Sequence, residues 1–210
     1  MVDLAPFLPG FVAAYAILLV GASSPGPSVA MLIGVATSQG RAPAMMATLG
    51  IATGSLTINL LTMLGVGLIL SQAAWAMSAL RLVGAAYLLY LAYGAFRKAL
   101  NPPVLQPATA RQRSGLHQFA TGYLLQVTNP KAIAFWLAIA SIGAVKGAGP
   151  GVIALFVAGA FLISFICHGL WALALSAQAV RQAYAAGRRW IETGLGAFFT
   201  FAAIKLAVDR

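Results

Sequence analysis

The chain has 210 residues, 61% of them hydrophobic and only 8% charged, against about 45–50% and about 25% in soluble domains, and its mean hydropathy is +0.90. A soluble enzyme, a disordered chain and a nucleic-acid module are excluded, because each needs surface charge that this sequence lacks. Thirteen Lys and Arg against three acids leave a net charge of +10, but most bases fall in short gaps between apolar runs, the pattern that orients a polytopic membrane protein rather than one that binds a polyanion.

A bilayer crossing takes about 20 mostly apolar residues, and six segments qualify: 7–36, 43–70, 75–96, 117–144, 149–176 and 189–207. The first opens on Met1, Val2 and Asp3 with no basic stretch ahead of it, so it reads as a retained span and not as a cleaved signal. The first, second, fourth and fifth are longer than a straight crossing requires, which leaves room for tilt or a break. Between the third and fourth lies a linker, 97–116, with Pro102, Pro103 and Pro107. The expected fold is therefore all-α and polytopic, with a three-helix repeat over 1–96, the linker, and a second three-helix repeat over 117–210.

Eight bases (Arg41, Arg97, Lys98, Arg111, Arg113, Arg181, Arg188 and Arg189) follow spans one, three and five, against four (Arg81, Lys146, Lys205 and Arg210) on the other side. That bias puts the linker in the cytoplasm and both termini outside. Three spans per half make the two halves run in opposite directions, the arrangement of inverted-repeat transporters whose sites lie on helices broken near the bilayer midplane. Helix breakers do stand at matching places in spans one and four: Ser23, Ser24, Pro25, Gly26, Pro27 and Ser28 in the first, Thr128, Asn129, Pro130 and Lys131 in the second.

Each break has a chemical consequence. A proline inside a helix removes a hydrogen bond and crowds the preceding turn at about 3 kcal/mol or more. The helices are expected to restart with Ser24 as cap and Pro25 in the first turn, and with Asn129 as cap and Pro130 in the first turn. Both restarts expose free N–H groups and a positive dipole end, together an anion site suited to a carboxylate. Lys131 follows its break directly. A lysine at that depth costs on the order of 2.5–3.5 kcal/mol and marks a substrate or ion pathway; the bland reading is that it snorkels to an interface.

Asn59 in span two, Gln126 in span four, and Ser164 and His168 in span five are further candidates to line a cavity, although neighbouring helices can satisfy such groups without any substrate. Gly50 and Gly54 read as a close helix contact, and the stripe Tyr87, Tyr90 and Tyr93 as packing. Arg188 and Glu192 read as a surface ion pair of little consequence. The acids Asp3, Glu192 and Asp209 all fall near span ends, so no buried carboxylate is expected. A lone Cys167 precludes an intrachain disulfide, His117 and His168 lack acidic partners, and no metal or cofactor is expected. An intramembrane enzyme pairing Ser23, Ser24 or Ser28 with His168 is an alternative without an evident orienting group.

The ordered set Ser24-Pro25-Gly26-Pro27, Gln39-Gly40-Arg41, Gly50 to Gly54, Gly84 to Leu88, Tyr93-Gly94 and Val127 to Lys131 resembles the LysE/RhtB family of bacterial amino-acid exporters, clearly over residues 5 to 145 and more loosely beyond. The resemblance implies a six-span inner-membrane protein that expels amino acids or close derivatives, driven by the proton gradient. Two positions depart from the family pattern: Ser164 takes the place of an Asp that many members carry, and Ser141 that of a proline. Without that Asp, His168 or Lys131 is left to carry the coupling proton, and uncoupled facilitated efflux stays open. The reading at this stage is thus an exporter of amino acids, neutral ones preferred. Its substrate site is Ser24, Pro25, Gly26, Pro27, Ser28, Asn59, Gln126, Asn129, Pro130, Lys131 and Ser164. Its partners are a small-molecule substrate and the lipid bilayer, with homo-oligomerisation left open and no nucleic acid.

Overall fold

The computed structural model describes residues 4–72, 74–101 and 113–208. Eight α-helices and one short 3-10 turn, Ala5–Phe7, make up these residues, with no strand among them. The helices are α1 Leu8–Ser23, α2 Pro27–Ser38, α3 Arg41–Gln72, α4 Ala74–Leu100, α5 Gly115–Val127, α6 Pro130–Ile142, α7 Pro150–Ala174 and α8 Gln178–Val208. Four stretches are long and apolar enough to cross a membrane: Ala5–Ser23, Arg41–Gly65, Pro150–Ala174 and Gln178–Val208; α2 and α6 are shorter apolar helices. Most of the linker, with Pro102, Pro103, Pro107 and Arg111, lies outside the described residues, as do Asp3, Asp209, Arg210 and the side chain of Arg81.

The chain is interrupted at both expected breaks, but the first restart differs from expectation. Gly26, not Ser24, caps α2, and Pro27 rather than Pro25 occupies its first turn. A residue before proline is driven out of the α region. Ser24 before Pro25 is accordingly extended (ψ 134°), and Gly26 before Pro27 is extended as well (φ −159°, ψ −167°). Because Gly26 cannot be helical, Pro25 cannot begin a helix. At the second break the expected cap forms: Asn129 is extended before Pro130, and its side-chain oxygen accepts the N–H of Lys131 at 3.1 Å. Elsewhere α6 ends on Gly143 in the left-handed conformation (φ 69°), the αL stop that glycine adopts without steric cost.

Helix α6 lies between two cores. On one side Trp136 and Ile139 join Phe11, Phe156 and their neighbours from α1 and α7; on the other, Phe135 meets Phe199 of α8, ring centroids 5.5 Å apart, among buried alanines of α4 and α8. Tyr15 stacks on Phe156 at 5.3 Å and donates its hydroxyl to the Phe156 carbonyl at 3.0 Å, locking α1 to α7. The buried face of α4 is Ala85, Leu88, Ala92, Ala95 and Ala99. Tyr90 and Tyr93 instead point outward, contrary to the packing expected of the tyrosine stripe. A spacing of three residues falls short of the 3.6-residue turn and so curls off the buried face.

Helices α3 and α5 meet along a seam of glycines. A Cβ on Gly50 would collide with the carbonyl oxygen of Phe119, and one on Gly122 with that of Ala47; at Gly54 it would come within 2.9 Å of the Gln126 Cβ. Within a bilayer, where apolar side chains gain nothing by leaving lipid, such close backbone approach is a principal source of helix association.

Helix α8 begins eleven residues before the span expected from hydropathy, and this overturns two readings. Arg181 lies on the helix, and its guanidinium donates to the carbonyls of Leu175 (2.8 Å) and Ser176 (3.2 Å), covering the end of α7. Arg188 and Glu192 are not on the surface: they are 7% and 1% exposed, with Nε and Oε1 3.8 Å apart. A buried carboxylate is therefore present after all. Hydropathy saw only the charges of this stretch, whereas one turn of helix brings the two opposite charges together on a buried face.

Two stability outcomes follow. Gly50→Ala lowers the melting temperature of the detergent-solubilised protein, at a cost of about 1–3 kcal/mol for the forced separation, while Gly65→Ala, where a Cβ meets open space, leaves it unchanged. Arg188→Met removes the adjacent cation from the buried Glu192, leaving Lys98 and Lys131 as its remaining counter-charges, and costs up to about 3–5 kcal/mol, most of which the double variant Arg188→Met/Glu192→Leu restores. An Arg188→Met protein that melts with the wild type would show the pair to be inert.

Candidate functional site

The two breaks face one another across a small cavity of about 40 Å³. The end of α1 contributes Ser24, whose N–H closes the helix on the Val20 carbonyl at 2.9 Å. Its own carbonyl lies beyond the helix, and a cation from the other half of the chain fills that need: Lys131 Nζ donates to the Ser24 carbonyl at 2.9 Å and also contacts the Ser24 hydroxyl. The hydroxyl proton of Ser24 is directed to the Gly21 carbonyl at 3.0 Å. A helix C-terminus is the negative end of its dipole, so the ammonium is stabilised by the peptide array as well as by the hydrogen bond. Gly26 stands close by, where a Cβ would lie 3.2 Å from Lys131 Nζ.

The opposite faces of the cavity are helix beginnings. The cap of α2 is Gly26, which has no side chain to offer the first-turn amides; Pro27 has no N–H, so the amides at the start that need outside partners are those of Gly26, Ser28 and Val29. Ser28 in that first turn donates to Gln126 Oε1 of α5 at 2.8 Å, tying the two breaks together again. From α7, Ser164 and His168 complete the wall; His168 Nδ1 lies 2.8 Å from the Ser164 carbonyl. Donating the Nδ1 proton there leaves the other ring nitrogen as an acceptor.

Of the residues singled out from the sequence, Ser24, Gly26, Ser28, Gln126, Asn129, Lys131, Ser164 and His168 line this one cavity. Pro25, Pro27 and Pro130 do not line it, and Pro27 and Pro130 are exposed; they end and start helices without touching the space between. Asn59 is not in this cavity either. It lines a second, larger one of about 490 Å³ between α3, α6 and the turn after α6.

Among the lining residues not foreseen from the sequence, two carry polar side-chain groups, Ser55 and Trp136. Ser55 of α3 accepts the indole N–H of Trp136 at 2.9 Å, with both side chains buried. Trp136 sits in an apolar run and reads as core. The signal was its N–H, which must find an acceptor when buried, and a helix-spaced polar row on α3, Thr48, Ser55 and Asn59, each nearly inaccessible.

The cavity can hold a few waters but not an amino acid, since ligand pockets run to about 300–1,000 Å³. Its chemistry is one ammonium, one imidazole, two helix starts, hydroxyls and two side-chain amides.

Comparison with known proteins agrees with a membrane-transport role. The LysE type translocator family matches residues 19–210. An uncharacterized membrane protein of Escherichia coli K12, YahN, is 26% identical over 189 residues, covering 89% of this chain and 83% of its own. Uncharacterized membrane proteins of Pseudomonas aeruginosa and Vibrio cholerae are 34% and 28% identical, each match covering about half of both chains. No solved structure matches the chain significantly.

Proposed function

This chain belongs to the LysE type translocator family, and on that premise we propose that it exports amino acids or close derivatives across the bacterial inner membrane. In this reading the broken pairs α1–α2 and α5–α6 each make one span, and α3, α4, α7 and α8 the other four. Residues 1–96 and 117–210 are inverted repeats joined by a cytoplasmic linker, and both termini lie outside. Part of the pattern of neighbours supports it: exchanging the halves turns the contacts α3–α5, α3–α6 and α1–α6 into α7–α1, α7–α2 and α5–α2, all of which occur, and leaves α3–α7 and α4–α8 paired with themselves, whereas α4–α6, α2–α3 and α3–α4 have no comparably close counterpart.

One observation carries the proposal: Lys131 spans from the second break to the carbonyl that ends the first. A carboxylate entering the cavity offers Lys131 a charged acceptor, a stronger partner than a neutral carbonyl, and meets the uncapped amides of α2. As Lys131 turns to it, the Ser24 carbonyl is released, and the substrate's ammonium takes the vacated bond. The zwitterion thus replaces one interaction with two and leaves neither Lys131 nor the Ser24 carbonyl unpaired, which accounts for recognition of an amino acid without the acid that Ser164 replaces. The closed cavity corresponds to a carrier between loadings. For proton antiport, His168 offers its second ring nitrogen to the proton that accompanies the empty carrier's return.

A second reading draws on the contact of the Ser24 hydroxyl with Lys131, the pairing of serine nucleophiles with a lysine base. The hydroxyl proton, however, points to Gly21, and Lys131 is the donor in the contact, so the geometry favours binding over nucleophilic attack. Labelling of purified protein at Ser24 by a serine-reactive probe, lost in Lys131→Ala, would favour the enzyme.

Export of a labelled amino-acid panel from reconstituted vesicles, with and without an imposed proton gradient, tests the transport reading. Lys131→Ala is expected to insert normally and lose about 10- to 100-fold in rate, the worth of a charge-assisted bond. Ser24→Ala, which keeps the carbonyl, loses only a few-fold. Wild-type export by Lys131→Ala would sink the assignment, and export indifferent to the gradient would make the protein an uncoupled facilitator.

A further inference from the structure

The two cavities share one lining residue, Trp136. On one side Ser55 holds the indole N–H at 2.9 Å. On the other, one turn further along α3, is Asn59, which is 1% exposed. Neither its side-chain oxygen nor its nitrogen has a hydrogen-bond partner among the described residues. A buried amide left unpaired is costly, and this one lines a cavity of about 490 Å³, within the roughly 300–1,000 Å³ range of ligand pockets.

We propose that Trp136, latched to Ser55, is the gate between the central site and an outward vestibule, in which Asn59 is the next polar stop for the departing substrate; the inference rests on the export reading above. Ser24 and Lys131, then Ser55 at the gate, then Asn59 form a graded series of polar groups leading from the breaks toward the turn that joins α6 to α7. Lys146, exposed on that turn, lines the same cavity and places a cation at the mouth for the carboxylate. The turn itself bends at Gly143 and Gly147, both at positive φ (69° and 75°), a conformation that keeps bulky side chains out of the rim. The rest of the wall is largely aliphatic and aromatic, including Met63, Ile139 and Phe156. It suits a substrate whose side chain is apolar and carries no second charge. Opening requires the indole to give up its bond to Ser55 and to turn out of its packing against Phe156 and Ile139, a side-chain movement that leaves the helices in place.

Thiol labelling tests this without requiring transport. Cys167 is the only cysteine, so Cys167→Ser gives a thiol-free background into which Asn59→Cys or Ser164→Cys is placed. Intact cells are then treated with a membrane-impermeant cationic methanethiosulfonate. Asn59→Cys is expected to react from the outer face, and Ser164→Cys to be protected. Removing the latch by Trp136→Phe or Ser55→Ala, which keep the core filled, is expected to raise the Ser164→Cys rate by about tenfold, and Trp136→Ala further. Reaction of Ser164→Cys from outside with the latch intact overturns the gate. So does continued protection in all three gate variants, and so does an Asn59→Cys that reacts only from the cytoplasmic face or not at all. Should the labelling follow expectation in a protein that moves no amino acid, the gate stands and the export reading falls.

Discussion

Interrupting a helix where water is scarce leaves carbonyls at one end and amides at the other, and each must find a partner inside the protein. The fold depends on how that demand is met. The carbonyl released at the end of α1 is satisfied by an ammonium that belongs to the other half of the chain, seated at the start of α6. The hydroxyl at the start of α2 is satisfied by an amide from α5. Each break completes the other, so the halves are joined at their weakest points. In the proposed export reading, the Lys131–Ser24 bond is the one that a zwitterionic substrate would replace.

This arrangement explains why so few charges suffice. The other buried pair, Arg188 and Glu192, lies on α8 beyond the lining of either cavity. A single lysine placed against a helix C-terminus meets both a hydrogen-bond acceptor and a favourable dipole, and the aromatic ring of Phe135 approaches from its far side, with the centroid 6.0 Å from Nζ.

The sequence revealed what is local and concealed what is cooperative. Proline, glycine and asparagine act on their own backbone and that of the next residue, so both breaks could be placed to within two residues. The cap of α2 was misplaced because Pro27 holds Gly26 out of the helical region, which prevents a helix from starting at Pro25 and so excludes Ser24 as its cap. Ser55 and Trp136 were missed for a different reason: a tryptophan in an apolar run declares its area but not the direction of its N–H. Asn59 was expected in one substrate site with the two breaks, yet it lines the second cavity, a placement set by packing between α3 and α6. The start of α8 was hidden because hydropathy scores Arg188 and Glu192 separately, and each charge hides the other only after the helix has formed.

The glycine seam between α3 and α5 has a mechanical meaning. Where backbones touch with no layer of side chains between them, there is nothing to interdigitate afresh, and one helix cannot slide past the other by exchanging rotamers, the small adjustments on which shear motions run. Helices α3 and α5 therefore behave as one stiff beam, carrying Ser55 and Asn59 on one arm and Gln126 on the other. Against a beam of that kind the proposed Trp136 gate would swing over a seat that stays fixed.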